Sequence, residues 1–171
     1  NIADGTNSLI ADKAAFGLGD YLVAEAGFGW DLGAEKLMHI VCRVGEMAPD
    51  AVVLVSTVRA LKYHGLDMWR ADLDAIVAAG EDAIVAGFEN LDKHVRNLQK
   101  FNVPVVVCVN RFPDDTDAEI EVVLEHCRDD LGVAAAESEM FAKGSDGGVD
   151  LAEEVISAVD SGAAAAFEHL Y

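Results

Sequence analysis

The sequence is short of basic residues. Against 31 Asp and Glu there are only 12 Lys and Arg, so the 171-residue chain carries a formal net charge of −19. Proteins that bind nucleic acid rely mainly on Lys and Arg contacts to phosphates, so we expect no nucleic-acid partner. The acidic residues are spread along segments such as 114–123 and 150–160. That distribution is typical of a solvated surface and not of an acidic tail.

Long apolar runs are also missing. Although 52% of the residues are hydrophobic, no stretch approaches the roughly 18 uninterrupted apolar residues of a membrane-spanning helix. No basic segment followed by an apolar one opens the chain, so we expect neither a secretory leader nor a membrane partner. The chain begins at Asn1 and enters patterned sequence at once, and we therefore interpret it as a fragment of a longer protein.

Cysteine is scarce. Cys42, Cys108 and Cys127 are odd in number and far apart, which fits neither a disulfide framework nor a zinc site. The pattern predicts reduced thiols, no metal ligands and a cytoplasmic location. Cys108 lies in a valine-rich run and Cys127 on the apolar face of a helical pattern, so both are expected in the core.

Short catalytic motifs are missing as well. The chain contains no G-x-x-x-x-G-K-[ST], no complete G-x-G-x-x-G, no G-x-S-x-G and no H-x-x-x-H. Its nearest approach is "EAGFGWDLGAEK", in which Gly27, Gly29 and Gly33 miss the dinucleotide spacing by one residue. The segment is either a tight turn between strand and helix or a loop whose amides hold an anion.

Short apolar runs alternate with helical patterns. Buried strands are predicted at Asp20–Glu25, Asp50–Thr57, Val103–Asn110 and Gly132–Glu139. Helices are predicted at Asn7–Gly19, at Asp82–Phe101 and around 120–131 and 151–159, whereas Thr57–Asp72 has no clear pattern and is interpreted as a long loop. The alternation predicts a single α/β domain over residues 1–171, with a parallel sheet and helices on both faces.

The loop "NRFPDDT" follows the valine-rich run, where open parallel sheets bind their ligands. Turn formation and helix capping account for the residues from Pro113 to Asp117. They do not account for Phe112. An aromatic ring at this edge is either a lid for the core or a stacking surface for a flat ligand.

Five longer stretches of the sequence favour the second alternative, a stacking surface for a flat ligand. In chain order they are "NIADGTNSLIADK", "EAGFGWDLGAEK", "PDAVVLVSTVRALKYHG", "NLDKHVRNLQKFNVPVVVCVNRFPDDTDAE" and "SEMFAKGSDGGVDLAE". From Asn1 to about Val159 the chain resembles the central to C-terminal part of formate–tetrahydrofolate ligase. The resemblance implies a P-loop NTPase-like sheet and an ATP-dependent C–N ligase of one-carbon metabolism, which makes 10-formyltetrahydrofolate, ADP and phosphate through formyl phosphate. It also implies Mg and a monovalent cation, and a homo-oligomeric full-length enzyme.

The resemblance also implies roles for individual residues. Phe112 would be one face of an aromatic clamp on the pterin ring, and Phe141, where the family has tryptophan, would be the other. Asp115 and Thr116 would contact the folate. Arg59 and Lys36 are the predicted catalytic cations, and the predicted anion or nucleotide contacts are Gly27, Gly29, Asn110, Lys62 and Lys143. For each cation the alternative is a surface or helix-capping charge.

The chain departs from the family at Asp4, where histidine is usual, and at Leu66, where glycine is usual. Because these residues include no phosphate loop, we predict that the isolated chain does not make formyl phosphate. One alternative is a non-catalytic folate- or nucleotide-binding or assembly module, either a degenerate paralogue or a separate subunit. Another is a generic nucleotide-binding-like domain in which Phe112 and Phe141 belong to the core.

Overall fold

A three-stranded parallel sheet forms the centre of the computed structural model, which describes residues 5–6, 8–27, 29–66 and 72–171. Its strands are β1 (Val52–Ser56), β2 (Val105–Asn110) and β3 (Ala134–Ser138), in that spatial order. Val52 pairs with Val105, and Val106 pairs with Ala134. The predicted α/β class is confirmed, together with three of the predicted strands. Asn7, Asp4 and part of the predicted loop, 67–71, lie outside the described residues.

Helices connect and flank the strands. They are α1 (Leu9–Phe16), α2 (Cys42–Gly45), α3 (Val58–Gly65), α4 (Leu73–Ala78), α5 (Glu81–Gln99), α6 (Asp117–Glu125), α7 (Met140–Lys143) and α8 (Val149–Asp160). Wider π-helical turns occur at Trp30–Ala34, Leu37–Val41 and His126–Asp130, and tighter 3₁₀ turns at Gly144–Gly148 and Ala163–Ala166. In the part of the chain described, none of these helices has both the length and the apolar character needed to cross a membrane.

The core lies mainly between the sheet and helices α3, α5 and α6. Phe88 and Leu91 of α5 are buried against Val107 and Val109 of β2, as the helical spacing predicts. Each such side chain stabilises the fold by about 1.5–3 kcal/mol through burial. Val106, on the opposite face of β2, is buried too, and α8 packs on β2 and β3. Helices therefore flank both faces of the sheet.

Two predictions about single segments are wrong. Asp20–Glu25 forms no strand, and its apolar side chains bury no face that would hold it in a sheet; Val23 is 93% exposed. The predicted loop Thr57–Asp72 contains α3, whose first turn is capped by the Thr57 hydroxyl accepting from the Ala60 amide at 3.0 Å. The capping threonine and the buried Val58 and Leu61, three positions apart, are the signals that reveal this helix.

Helices α3 and α5 cross at two glycines. A Cβ atom added to Gly65 would lie 1.9 Å from the Ala83 carbonyl oxygen, and one added to Gly87 would lie 2.0 Å from the Leu61 carbonyl oxygen. Such distances are far inside van der Waals contact, so only hydrogen fits at either position. This close crossing fixes α3, and with it Arg59 and Lys62, relative to the rest of the fold.

Candidate functional site

The predicted site residues cluster where the strands end. Arg59 lies in the first turn of α3, just after β1, and Asn110 is the last residue of β2. Asn110 pairs with Ser138 in the sheet register, and the Arg111 amide donates to the Ser138 carbonyl at 3.0 Å. All three strands therefore end at one edge, which is where open parallel sheets bind ligands.

Arg59 and Phe112 meet at this edge, although 53 residues separate them in sequence. The Cζ atom of Arg59 lies 4.3 Å from the centroid of the Phe112 ring, which is a cation–π contact. Nη2 of Arg59 also donates to Oδ2 of Asp114 at 2.5 Å. Its Nε has no hydrogen-bond partner within the described residues. This Nε is itself buried, so the two contacts described are the ones that fix the guanidinium.

The backbone around Phe112 is held by Asp115. The Phe112 amide donates to Oδ2 of Asp115 at 2.8 Å, and the Asp115 amide returns a bond to the Phe112 carbonyl at 3.0 Å. Asp115 is buried, so these bonds are shielded from water and fix the turn that presents the ring. The predicted folate contact of Asp115 stays a prediction, and the structure gives this residue a supporting role in the loop.

Thr116 begins helix α6. Its hydroxyl accepts from the Glu119 amide at 3.3 Å, and its own amide donates to Oε2 of Glu119 at 2.9 Å. This is a complete capping box, as the "TDAE" sequence indicates. The cap sets where α6 starts and where the loop before it ends. Its predicted folate contact also stays a prediction.

Arg111 braces the loop from the side. Its guanidinium bonds Asp117 at 2.6 Å, Glu137 at 2.8 Å and the Asp115 carbonyl at 3.0 Å. Hydrogen bonds to Asp117 and Glu137 raise the pKa of Arg111 above its ordinary value, so the brace stays charged. No role for Arg111 is evident from the sequence, because nothing local shows that its partners come from both β3 and α6.

Lys62 lies on α3 beneath this edge and is only 3% exposed. Its Nζ is 2.5 Å from Oε1 of Glu119 and donates to the Val77 carbonyl at 3.3 Å. Burial acts to raise the pKa of Glu119, but hydrogen bonds from Lys62 and Thr116 outweigh it and hold that pKa below its usual 4.5. The predicted anion contact of Lys62 stays a prediction; the pair gives Lys62 a structural role.

Phe141 and Lys143 lie on the short helix α7, directly after β3. The Phe141 side chain is 87% exposed, so it belongs to no core. Lys143 pairs with Glu139, and that hydrogen bond raises the pKa of Lys143. The Glu139 amide donates to the Gly147 carbonyl at 2.9 Å, which folds the following turn back on α7. Both predicted residues are therefore presented to solvent at the expected edge.

The glycine loop forms a second group. Gly29 adopts φ +87°, a conformation that favours glycine. The Gly33 amide, inside the π turn at Trp30–Ala34, donates back to the Gly27 carbonyl at 3.0 Å. Gly5 packs against the backbone of Lys36 and Leu37, with no room for a Cβ atom. The predicted strand before this loop is absent, so the loop is a turn into a helix and does not follow a strand.

The carboxyl edge of the sheet offers a ligand an aromatic surface and cations. Phe112 presents a ring whose backbone is held by Asp115, and Arg59 places a planar cation beside the ring. A flat ring carrying anionic groups suits this combination, since the aromatic face stacks and the guanidinium pairs with oxygen anions. Sequence reasoning missed Asp114, the acidic partner of Arg59, because only the fold brings α3 to the loop after β2.

Comparison with known proteins places these features in one family. The family description "Formate--tetrahydrofolate ligase" matches residues 1–171. A protein of that name from Haloquadratum walsbyi is 71% identical over all 171 residues, which cover 30% of its own length. A protein of the same name from Haloarcula marismortui is 68% identical over all 171 residues, which cover 31% of its length. One from Thermotoga petrophila is 56% identical over 159 residues, or 93% of this chain and 28% of that protein. The chain thus spans about 30% of these relatives.

Proposed function

Because this chain belongs to the formate–tetrahydrofolate ligase family, we propose that it supplies the folate side of a site that joins formate to tetrahydrofolate with ATP. The reaction would pass through formyl phosphate, which a nitrogen of tetrahydrofolate attacks, giving 10-formyltetrahydrofolate, ADP and phosphate. The observation that carries the proposal is the placement of Phe112 at the carboxyl edge of the sheet, with Arg59 stacked on it. Binding and orientation, not covalent chemistry, would be the contribution of this part of the site.

Phe112 is the proposed stacking surface for the pterin ring, with Phe141 as the opposing ring. Exposure of Phe141 on α7 supports this assignment, because a residue of the core would be buried. Asp115 holds the Phe112 backbone and Thr116 caps the following helix, so both would keep the stacking surface in place. Asn110 lies at the same edge, where its amide could contact the ligand.

Anionic groups of the reactants would meet the cations of this edge. Arg59 has a planar fork that suits formate or phosphate oxygens. Lys143, exposed on α7 beside Glu139, is proposed as a second anion contact. Lys36, Gly27 and Gly29 are proposed to serve the nucleotide or phosphate side from the glycine loop. Lys62 would need to leave Glu119 to do so, and we assign it first to the fold.

Metal ions enter this proposal only as companions of the nucleotide. Within the described residues, no group of three His, Cys, Asp or Glu side chains is arranged to hold a metal. We therefore assign no ligand here to Mg²⁺ or to a monovalent cation, and no step is routed through either. The three cysteines are buried and free, which supports a reducing, cytoplasmic setting. A homo-oligomer of the full-length enzyme is part of the same proposal.

The test compares the complete chain encoded by the gene with the 171-residue chain. The complete chain is expected to form 10-formyltetrahydrofolate only when ATP, formate and tetrahydrofolate are all present, read as phosphate release and as product absorbance. The 171-residue chain, which contains no G-x-x-x-x-G-K-[ST], is expected to give none. A complete chain that releases phosphate without formate, or that makes no product, contradicts the proposal.

A further inference from the structure

The two faces of the Phe112 ring are not equivalent. The Arg59 guanidinium lies 4.3 Å from the ring centroid and covers one face. Phe112 is half-buried, so part of the ring remains accessible beside this cation. The choice of face therefore depends on what keeps Arg59 in place.

Asp114 is the residue that holds Arg59 there. Its Oδ2 accepts from Nη2 of Arg59 at 2.5 Å, while the side chains of Arg59 and Asp114 are 27% and 56% exposed. Burial alone does not immobilise side chains this accessible, since long exposed side chains retain rotamer freedom. The ion pair and the stacking contact together define one position for the guanidinium. Asp115, in contrast, fixes only the backbone of Phe112.

We propose that Asp114 is a positioning residue for the ligand stack: by anchoring Arg59 on one face of Phe112, it supports the ring and leaves the opposite face open to the pterin. The inference rests on the proposed folate-binding function. Without the Asp114 carboxylate, the Arg59 side chain is no longer held in place, and the Phe112 ring loses the guanidinium that packs on one of its faces. The ligand must then order the ring itself, so binding of tetrahydrofolate weakens.

The first experiment uses the complete chain encoded by the gene and the variant Asp114→Asn. Its KM for tetrahydrofolate is expected to rise about two- to fivefold, the size of one weak stacking or surface ion-pair contact, and kcat is expected to change less than KM. Asp114→Glu, which keeps the carboxylate, is expected to restore most of the affinity. The matched control is Glu121→Gln. It removes the acid from another exposed pair, Arg128–Glu121, which is also 2.5 Å long, and it is expected to leave both constants unchanged.

The second experiment combines Asp114→Asn with Phe112→Ala. If Asp114 acts through the ring, the asparagine substitution has no further effect on KM once the ring is gone. An equal rise in both backgrounds, or a fall in kcat without a change in KM, overturns the inference. If Phe112→Ala raises KM and Asp114→Asn does not, the inference fails and the proposed function stands. If Phe112→Ala leaves KM unchanged, the proposed folate surface fails and the inference fails with it.

Discussion

Lys62 and Glu119 form a buried ion pair, with Nζ 2.5 Å from Oε1. Lys62 comes from α3, and Glu119 comes from the first turn of α6, where it also closes the capping box with Thr116. One carboxylate thus ties the helix that carries Arg59 to the end of the loop that carries Phe112. The two halves of the candidate site depend on this contact.

Replacing Lys62 with methionine is expected to destabilise the protein by about 3–5 kcal/mol, because Glu119 would remain buried without its cation. Urea unfolding at neutral pH measures the change. Arg128→Met, which removes the cation of an exposed pair with Glu121, is the matched control and should cost much less stability, because solvent screens that pair. Equal losses in the two variants would show that burial of the Lys62 pair has no special weight.

Acid should weaken the same contact. Because the pKa of folded Glu119 is held below 4.5, its contribution to stability is fully present above the unfolded value and is lost as pH falls through the folded value. The stability advantage of the unsubstituted protein over Glu119→Gln should therefore shrink below about pH 4.5. Urea midpoints from pH 7 to pH 3 test this. An advantage that stays constant or grows in acid contradicts the assignment.

The crossing of α3 and α5 should not tolerate a methyl group. Alanine normally improves a helix over glycine, yet Gly87→Ala would place Cβ 2.0 Å from the Leu61 carbonyl oxygen. We expect a loss of at least about 2 kcal/mol from the resulting overpacking. Gly17→Ala, whose Cβ would have its nearest contact at 3.5 Å, is the control and should change stability by about 0.5 kcal/mol or less. Gain of stability in Gly87→Ala would refute the close crossing.

The three cysteines should be unreactive in the folded protein. Burial, reinforced by Asp12, raises the pKa of Cys42 to about 11. Burial likewise raises the pKa of Cys127 to about 11, with Arg128 opposing the shift and Asp92 adding to it, and burial raises that of Cys108. Thiolates are the reactive form, so Ellman's reagent at pH 8 should label none of them before unfolding and all after. Prompt labelling of the native chain contradicts their burial.

Much of the fold could be predicted from sequence because local patterns carried it. Valine-rich runs identified β1 and β2, helical spacing identified α5 and the body of α6, and the capping residues indicated where α6 starts. The prediction failed where pairing decides the outcome. Asp20–Glu25 contains enough apolar residues for a strand. In the structure this segment buries no face and pairs with no strand among the described residues. Strand formation is a tertiary property, and the local sequence does not contain it.

The candidate site was predictable in its position and only partly in its contacts. The loop after β2 could be assigned from the end of the valine run and from the family-like "NRFPDDT" stretch. The partners of Arg59 and Lys62 could not, because Asp114 and Glu119 lie more than 50 residues away in the chain. Only the packing of α3 beside α6 brings them together. Asp115 and Thr116 were predicted as ligand contacts, and the structure adds roles in the loop that their side chains already perform.

The most direct test of the account is calorimetric titration of the complete gene product with tetrahydrofolate. Phe112→Ala is expected to weaken binding at least about tenfold through loss of the stacking surface, while the thermal midpoint stays close to that of the unsubstituted protein. Phe16→Ala removes an exposed ring from the end of α1, and it should leave both binding and the midpoint unchanged. Equal affinity in all three proteins would contradict the claim that Phe112 forms the folate-binding surface.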